Sequence, residues 1–350
     1  IDTLLVVTFT NAAAQEMRNR IGQALEGALV QEPNSTHLKK QLSLLQRASI
    51  STLHSFCMDL VRRYAYLLDI DPGFRIADDV EADMIQQEVL EELFEEWYGK
   101  EGPEQQAFFG VVDRFSNDRS DLEVEELILK LFTFAMQNPW PDDWLDQMSF
   151  MYEVDEHTDE SELSWLSILK REVESDIAAM RAEAEAAMDI TRESDGPYHY
   201  AEAIESDLEK ISQASGALAI SWDEVQVVFQ SGKFKGLSRK AADCDDGKKE
   251  RVKDIRNSYK ERWNKLKKGW FARSLSSYLA DMRTLYPTIR QLTVLVKEFK
   301  HRYSQMKKEK ALVDFSDLEH LTLKLLLAEE STPDNLMPSA VALELQQKYS

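Results

Sequence analysis

Residues 4–17 read Leu4-Leu5-Val6-Val7-Thr8-Phe9-Thr10-Asn11-Ala12-Ala13-Ala14-Gln15-Glu16-Met17 and change within a few positions from a strand pattern to a helix pattern. Val6, Val7 and Phe9 are typical of a buried strand. Asn11 is suited to cap the following helix, whose apolar stripe begins at Met17. A strand that leads directly into a helix leaves free backbone N–H groups at a sheet edge, where they bind phosphate oxygens. The residues alone leave an ordinary β–α turn equally open.

Strand and helix patterns alternate at both ends of the chain, whereas the middle is helical in pattern. The first part predicts strands at 3–9 and 48–52 and helices at 12–30, at 36–47 and from 53. Helical periodicity then dominates residues 79–310, and an α/β pattern returns at 311–330, before a last helix from about 338. The sequence therefore predicts an α/β lobe interrupted by a large helical insertion.

One long helix is expected near the end of this insertion. Residues 248–286 contain no strong helix breaker before Pro287, and a continuous helix of that length would span about 60 Å. Trp263 and Trp270 lie at helical spacing on its apolar face, interleaved with the basic residues Lys265, Lys267 and Lys268. The three lysines are a candidate DNA-facing patch, although the tryptophan spacing favours a core with the cations outside.

Charge is distributed unevenly along the chain. The net charge is −21, yet residues 78–209 carry 38 acidic and 8 basic side chains, whereas residues 233–310 carry 23 basic and 9 acidic. The second block has a net charge of 23 − 9 = +14, which produces a local positive field that the total conceals. A solvated helical face and a nucleic-acid surface both remain open for this block.

Composition excludes several classes of protein. Apolar residues make up 43% of the 350 residues, which suffices for a large core, and the chain contains two cysteines. Two distant cysteines indicate a reducing compartment rather than a disulfide framework. The six histidines have no metal-ligand spacing, so no metal site is expected. No run of 18 apolar residues predicts a membrane span.

Three motifs in order resemble the superfamily 1 DNA helicases of the UvrD/Rep/PcrA type. Residues 8–17, T-F-T-N-A-A-A-Q-E-M, resemble motif Ia of that family. Ser51-Thr52-Leu53-His54-Ser55-Phe56-Cys57 resembles its T-x-H-S-F segment, and Val313-Asp314-Phe315-Ser316-Asp317-Leu318 resembles its D-F-x-D-L segment. Residues 42–54 and 71–78 are closer still to one branch, the AddA (RexA) helicase-nuclease subunits of the AddAB double-strand-break repair complex.

The resemblance implies a fold and a domain layout. Residues 1–70 and 311–350 would form part of a RecA-like P-loop NTPase domain, called domain 1A in the family. Residues 71–310 would form the mostly α-helical insertion called domain 1B. The chain begins without Met and lacks a G-x-x-x-x-G-K-[ST] loop, so we expect a fragment of a longer protein that is inactive alone.

The resemblance also implies which residues contact DNA. No catalytic residue is expected in these 350 residues; the candidate DNA-binding residues are Thr8, Phe9, Thr10, Asn11, Thr52, His54, Ser55 and Phe315. The alternative for Phe9 is a core position, and for His54 a capping or core role. Ala12 stands where many relatives have lysine, so a phosphate contact through that side chain is absent. For Asp314 and Asp317 we expect a helix cap and first-turn carboxylate rather than a metal site.

For the parent protein, the resemblance implies an ATP-dependent 3′-to-5′ DNA helicase with a nuclease domain outside this chain. ATP and Mg²⁺ would be its cofactors, with neither bound to the fragment. Its partners would be single-stranded and duplex DNA and an AddB-like (RexB-like) subunit, in the bacterial cytoplasm and without a membrane. It would act in DNA repair by homologous recombination. The alternative is a helical protein–protein interaction module that binds little DNA.

Overall fold

The computed structural model describes residues 1–117, 120–239 and 243–349 and is mostly helical. Lys240 of the basic block and Ser350 of the expected domain 1A lie outside the described residues. The strands are β1 (Leu5–Thr8), β2 (Ser49–Thr52), β3 (Arg75–Ile76) and β4 (Leu312–Val313). The helices before residue 160 are α1 (Asn11–Gln31), α2 (Thr36–Leu44), α3 (Leu53–Arg63), α4 (Ala65–Leu68), α5 (Asp79–Gly99), α6 (Pro103–Phe115), α7 (Leu122–Ala135) and α8 (Pro141–Phe150). The later helices are α9 (Ser164–Arg192), α10 (Ala201–Ile220), α11 (Trp222–Gln230), α12 (Asp246–Lys268), α13 (Leu275–Glu309), α14 (Phe315–Leu326) and α15 (Ala340–Lys348).

The chain forms two compact units. Unit 1 comprises residues 1–146 and 290–350, and unit 2 comprises residues 147–289, so that the division falls inside α8 and α13. These bounds differ from the expected domain bounds at residues 70 and 311. Packing explains the difference, because α5 and α7 lie against the second half of α13: Trp97 Nε1 donates to Glu298 (3.0 Å), and the Phe132 ring meets Phe299 edge-on (5.2 Å).

Both strand pairs in unit 1 are parallel. β1 pairs with β2 in a register that sets Leu5 opposite Ser49 and Thr8 opposite Thr52, and β3 pairs with β4. α1 follows β1 and α3 follows β2 after at most two residues. Parallel strands end at the same edge of a sheet, so the starts of α1 and α3 lie side by side.

One expectation for β1 is wrong. Val6 is half-buried beside the small core of Leu45, Ala48 and Ile50, but Val7 is exposed. Successive side chains of a strand point to opposite faces, and β1 has apolar residues on both. Among the described residues, only one of these faces is packed against that core.

Unit 2 has its own core, built from α9, α10, α11 and α12. The expected apolar stripe of α9 is confirmed, since Leu166, Val173 and Met180 are all buried. Asp207 and Arg256 are buried within this unit and form an ion pair, with Arg256 Nε 2.6 Å from Asp207 Oδ2. The Tyr259 hydroxyl donates to the same oxygen (2.7 Å). Burial raises the pKa of the Tyr259 phenol, and the Asp207 carboxylate raises it further.

The long helix expected at 248–286 is interrupted, so that prediction is wrong. α12 ends at Lys268, and Gly269 adopts a non-helical conformation (φ −89°, ψ −105°). A Cβ at Gly269 would lie 3.0 Å from the Lys265 carbonyl oxygen, which favours glycine at this turn. Pro287, expected to end the helix, lies inside α13 instead. A proline costs one backbone hydrogen bond, and α13 retains its packed faces on either side.

Candidate nucleic-acid interface

Two threonines begin the helices that meet at the sheet edge. Thr10 Oγ1 accepts a hydrogen bond from the Ala13 N–H (3.1 Å) and caps α1. Thr52 Oγ1 accepts from the Ser55 N–H (3.2 Å) and caps α3. The expectation that Asn11 caps α1 is therefore wrong, because the helix begins one residue earlier than the sequence suggested. The exposed Asn11 amide remains available to a ligand.

Seven of the eight candidate DNA-binding residues line one groove. Its volume is about 540 Å³, and its lining consists of Phe9, Thr10, Asn11, Thr52, His54, Ser55, Met58, Ile76 and Phe315. Thr8 is not part of the lining, and its hydroxyl donates to the Thr10 carbonyl oxygen (3.1 Å). The groove thus combines hydroxyls, one amide and two helix N-termini with aromatic rings, and the described residues that line it include no lysine or arginine.

The two phenylalanines of the groove face solvent. Phe9 is fully exposed (103%) and Phe315 is 51% exposed. The alternative of a core position for Phe9 is therefore wrong. The alternation of a strand no longer applies to Phe9 and Thr10, because β1 ends at Thr8. Exposed rings beside phosphate-binding groups suit the stacking of nucleic-acid bases.

His54 joins α3 to α14. Its Nε2 lies 3.0 Å from Glu319 Oε1, and its ring meets Phe315 edge-on with centroids 4.9 Å apart. His54 therefore neither caps a helix nor belongs to the core, in contrast to the simpler alternatives. Glu319, which the sequence did not single out, orients the imidazole at the groove.

The segment that carries Phe315 is held by a buried ion cluster. Asp314 caps α14, and Asp314 and Asp317 each accept a hydrogen bond from the other's backbone N–H (2.8 and 2.9 Å). Both carboxylates bind Lys307 Nζ, at 2.7 and 2.6 Å, and the Lys307 side chain is only 4% exposed. Burial raises the pKa of Asp317, the Asp314 carboxylate raises it as well, and Lys307 opposes the shift.

The sequence contained a signal for Lys307 that we did not use. Leu292, Val296, Phe299 and Tyr303 form the buried stripe of α13, and Lys307 occupies its next position. A charged residue on a buried stripe requires a partner of opposite charge. The expectation of a cap at Asp314 is confirmed, but the cation that completes the arrangement was missed.

The lysines of the candidate patch belong to unit 2. Lys265 and Lys268 are exposed at the end of α12, and Lys267 Nζ lies 3.4 Å from the Gln230 carbonyl oxygen. Trp263 is buried, as the core alternative predicted, whereas Trp270 lies in a turn after α12 and is 49% exposed.

Metal-binding side chains are not grouped in the described part of the chain. Within residues 1–117, 120–239 and 243–349, no three His, Cys, Asp or Glu side chains are arranged to hold a metal ion. Over the same ranges, every helix is too short or too polar to cross a lipid bilayer.

Comparison with known proteins identifies the family. The model of the UvrD/REP helicase N-terminal domain matches residues 1–349. The chain belongs to the UvrD/REP helicase family. It is similar over its whole length to large subunits named for an ATP-dependent helicase/nuclease: 55% identical to that of Oceanobacillus iheyensis, 42% to that of Bacillus cytotoxicus and 41% to that of Geobacillus kaustophilus. The chain spans 28% of the length of each of these relatives.

Among UvrD/REP helicase domains, this chain therefore corresponds to one part of a much longer polypeptide in its relatives. The three motifs that carried the resemblance lie within the matched residues. Two of them, at 8–17 and 51–57, form the β1–α1 and β2–α3 junctions, and the third begins α14.

Proposed function

We propose that this chain is the part of an AddA-type ATP-dependent helicase/nuclease that holds single-stranded DNA during translocation. The observation that carries the proposal is the groove, in which the exposed Phe9 and Phe315 rings stand beside two capped helix N-termini. Hydroxyl and backbone N–H donors fix phosphates, and aromatic faces accept any base, which suits movement along DNA of any sequence.

The parent protein, by this proposal, hydrolyses ATP with Mg²⁺, moves 3′ to 5′, and prepares broken DNA ends for recombination with an AddB-like subunit. The names of the relatives support ATP use, helicase and nuclease activity, and a second polypeptide in the complex. Domain 1A then comprises residues 1–70 and 311–350 and domain 1B residues 71–310, in a protein of the bacterial cytoplasm. The 350 residues alone contain no phosphate-binding P-loop and are expected not to hydrolyse ATP.

The groove itself is tested by shortening its aromatic rings in the full-length protein. Phe9→Ala and Phe315→Ala are each expected to weaken binding of a labelled oligothymidylate by about 1–3 kcal/mol, because each removes one stacking surface. Fluorescence anisotropy measures the affinity. Phe134→Ala is the matched control, since Phe134 is an exposed phenylalanine of unit 1 outside the groove. Equal affinities for all three variants and the unaltered protein would contradict the proposal.

The lysine patch of unit 2 is tested separately through salt dependence. The double variant Lys265→Glu/Lys268→Glu is expected to lower DNA affinity and to flatten its dependence on salt, by about one unit of slope for each lost phosphate contact. Titrations at several salt concentrations give the slope. Arg171→Glu/Arg192→Glu is the control, since both arginines are exposed on α9 in the acidic segment. An unchanged affinity and slope would remove α12 from the DNA path and favour the second candidate, a protein-docking role for unit 2.

A further inference from the structure

A second cavity in unit 1 collects positive charge at the start of β2. It has a volume of about 260 Å³, and Arg18, Arg47, Arg63 and Lys348 all line it. Asp59 is the single carboxylate among its described lining residues. The lining therefore has a net charge of 4 − 1 = +3, although the whole chain carries −21.

These four cations are not consumed by ion pairs. In the described part of the chain, none of them forms an ion pair with a carboxylate. Arg18 Nη2 donates to the Ile50 carbonyl oxygen (2.8 Å), which holds one guanidinium at the sheet. Arg47 and Arg63 are exposed and have donors available to a ligand.

The largest cavity of unit 1 provides a contrast. It has a volume of about 610 Å³ and is lined by five lysines, but four of these pair with carboxylates. Its positive charges are thus neutralised by the protein itself. A concentration of lysines does not by itself make an anion site, and the absence of such pairing among the described residues distinguishes the smaller cavity.

Hydroxyl groups complete the smaller cavity. The Tyr349 and Ser49 hydroxyls lie 2.7 Å apart, and Lys348 Nζ donates to the Tyr349 oxygen (3.0 Å). Burial raises the pKa of Tyr349, but hydrogen bonds from Lys348 and Ser49 and the charges of Lys348 and Arg63 bring it below its ordinary value. The surroundings therefore favour negative charge on an oxygen at this position.

We propose that this cavity, which we call the β2-start site, binds a phosphate group through Arg18, Arg47, Arg63 and Lys348. Guanidinium groups form paired hydrogen bonds with phosphate oxygens, and serine and tyrosine hydroxyls supply further donors. A phosphate monoester carries about −1.5 to −2 charges at neutral pH, which suits a lining of +3 better than a single carboxylate does.

The β2-start site is separate from the candidate DNA groove. Ser49 lies at one end of β2 and Thr52 at the other, about 10 Å apart at the usual rise of a strand. The inference therefore stands on its own observations, and its test does not depend on DNA binding at Phe9 and Phe315.

Equilibrium dialysis of the full-length protein against radiolabelled inorganic phosphate tests the proposal. Saturating adenosine imidotriphosphate is present to fill any nucleotide site. One phosphate per protein is expected to bind, and Arg47→Gln/Arg63→Gln is expected to weaken this binding at least about tenfold, because it removes two charge-assisted donors. Both side chains are exposed, so their replacement leaves the core intact.

Arg20→Gln/Lys40→Gln removes the same charge from exposed positions outside the cavity and should leave phosphate binding unchanged. Failure to bind phosphate, or equal weakening by both double variants, would overturn the proposal. Competition then identifies the source: displacement by an oligothymidylate indicates a nucleic-acid phosphate, and displacement by thymidine monophosphate alone indicates a small phosphorylated molecule. A hexaglutamate peptide that binds more tightly than phosphate would instead indicate an acidic protein segment and overturn the phosphate assignment.

Discussion

Replacing Lys307 by methionine is expected to loosen the start of α14 more than any other single change in unit 1. The substitution leaves the Asp314 and Asp317 carboxylates beside each other without their cation. Breaking a buried ion pair by removing one partner costs about 3–5 kcal/mol. Hydrogen exchange of the full-length protein, followed by mass spectrometry, should show protection at residues 312–320 falling by about a hundredfold or more, since each 1.4 kcal/mol is a factor of ten.

Lys308→Met is the matched control for this experiment. Lys308 is the next residue of α13, and it pairs with Asp69 where both side chains are exposed. Exposed pairs contribute little because water and salt screen them. Exchange at residues 312–320 should therefore be unchanged. Equal protection in Lys307→Met and Lys308→Met would show that the ion cluster does not hold the segment that carries Phe315.

The effect of Lys307→Met also depends on pH. The pKa of Asp317 is raised above its unfolded value by burial, so its protonation favours the folded state and the gain is lost as pH rises through the folded pKa. Without Lys307, the raised pKa should increase further. The loss of protection should then shrink between about pH 8 and about pH 5.5, after correction for the intrinsic exchange rate. A defect that grows on acidification would contradict this account.

The second large effect is expected in unit 2, at Asp207. Asp207→Ala removes the partner of Arg256, whose side chain is 5% exposed, and the acceptor of the Tyr259 hydroxyl. An unpaired buried guanidinium costs about 3–5 kcal/mol. Arg256 also donates to the Lys235 carbonyl oxygen, so the loop before α12 should loosen with it. Exchange at residues 202–212 and 250–262 measures the change.

A double variant separates the cost of an unpaired charge from the value of the pair. Asp207→Leu/Arg256→Met replaces both ions by apolar side chains and should recover much of the protection lost in Asp207→Ala. Glu185→Ala is the control, because its pair with Arg181 is exposed on α9. If the double variant is as unprotected as Asp207→Ala, the ion pair itself stabilises unit 2 and the desolvation argument fails.

The sequence predicted the groove well because it depends on local rules. Thr10 and Thr52 each follow a strand, and the carboxyl ends of parallel strands share one edge whatever the rest of the fold. The same rules misplaced Phe9 and the cap of α1 by one or two residues, since they do not say where a strand stops. Phe315, more than 250 residues further on, was joined to the groove by the family resemblance alone.

The buried cations were missed for a different reason. Lys307 and Arg256 both occupy positions on apolar helical stripes, and each is neutralised by a carboxylate on another segment of the chain. Pattern analysis treats lysine and arginine as surface residues, which is their usual place. Only the packed structure shows that these two are enclosed, and therefore that the +14 block is a poor guide to the exposed positive surface.

The uninterrupted path of α13 from Leu275 to Glu309 limits how the length of this region can vary. Each residue of a helix turns the next by about 100° around the axis, so one inserted residue rotates every later side chain by that angle. Such an insertion between residues 290 and 306 would carry Lys307 away from Asp314 and Asp317. Additions and losses of residues should therefore accumulate in the Gly-containing segment 231–247, where helical phase has no consequence.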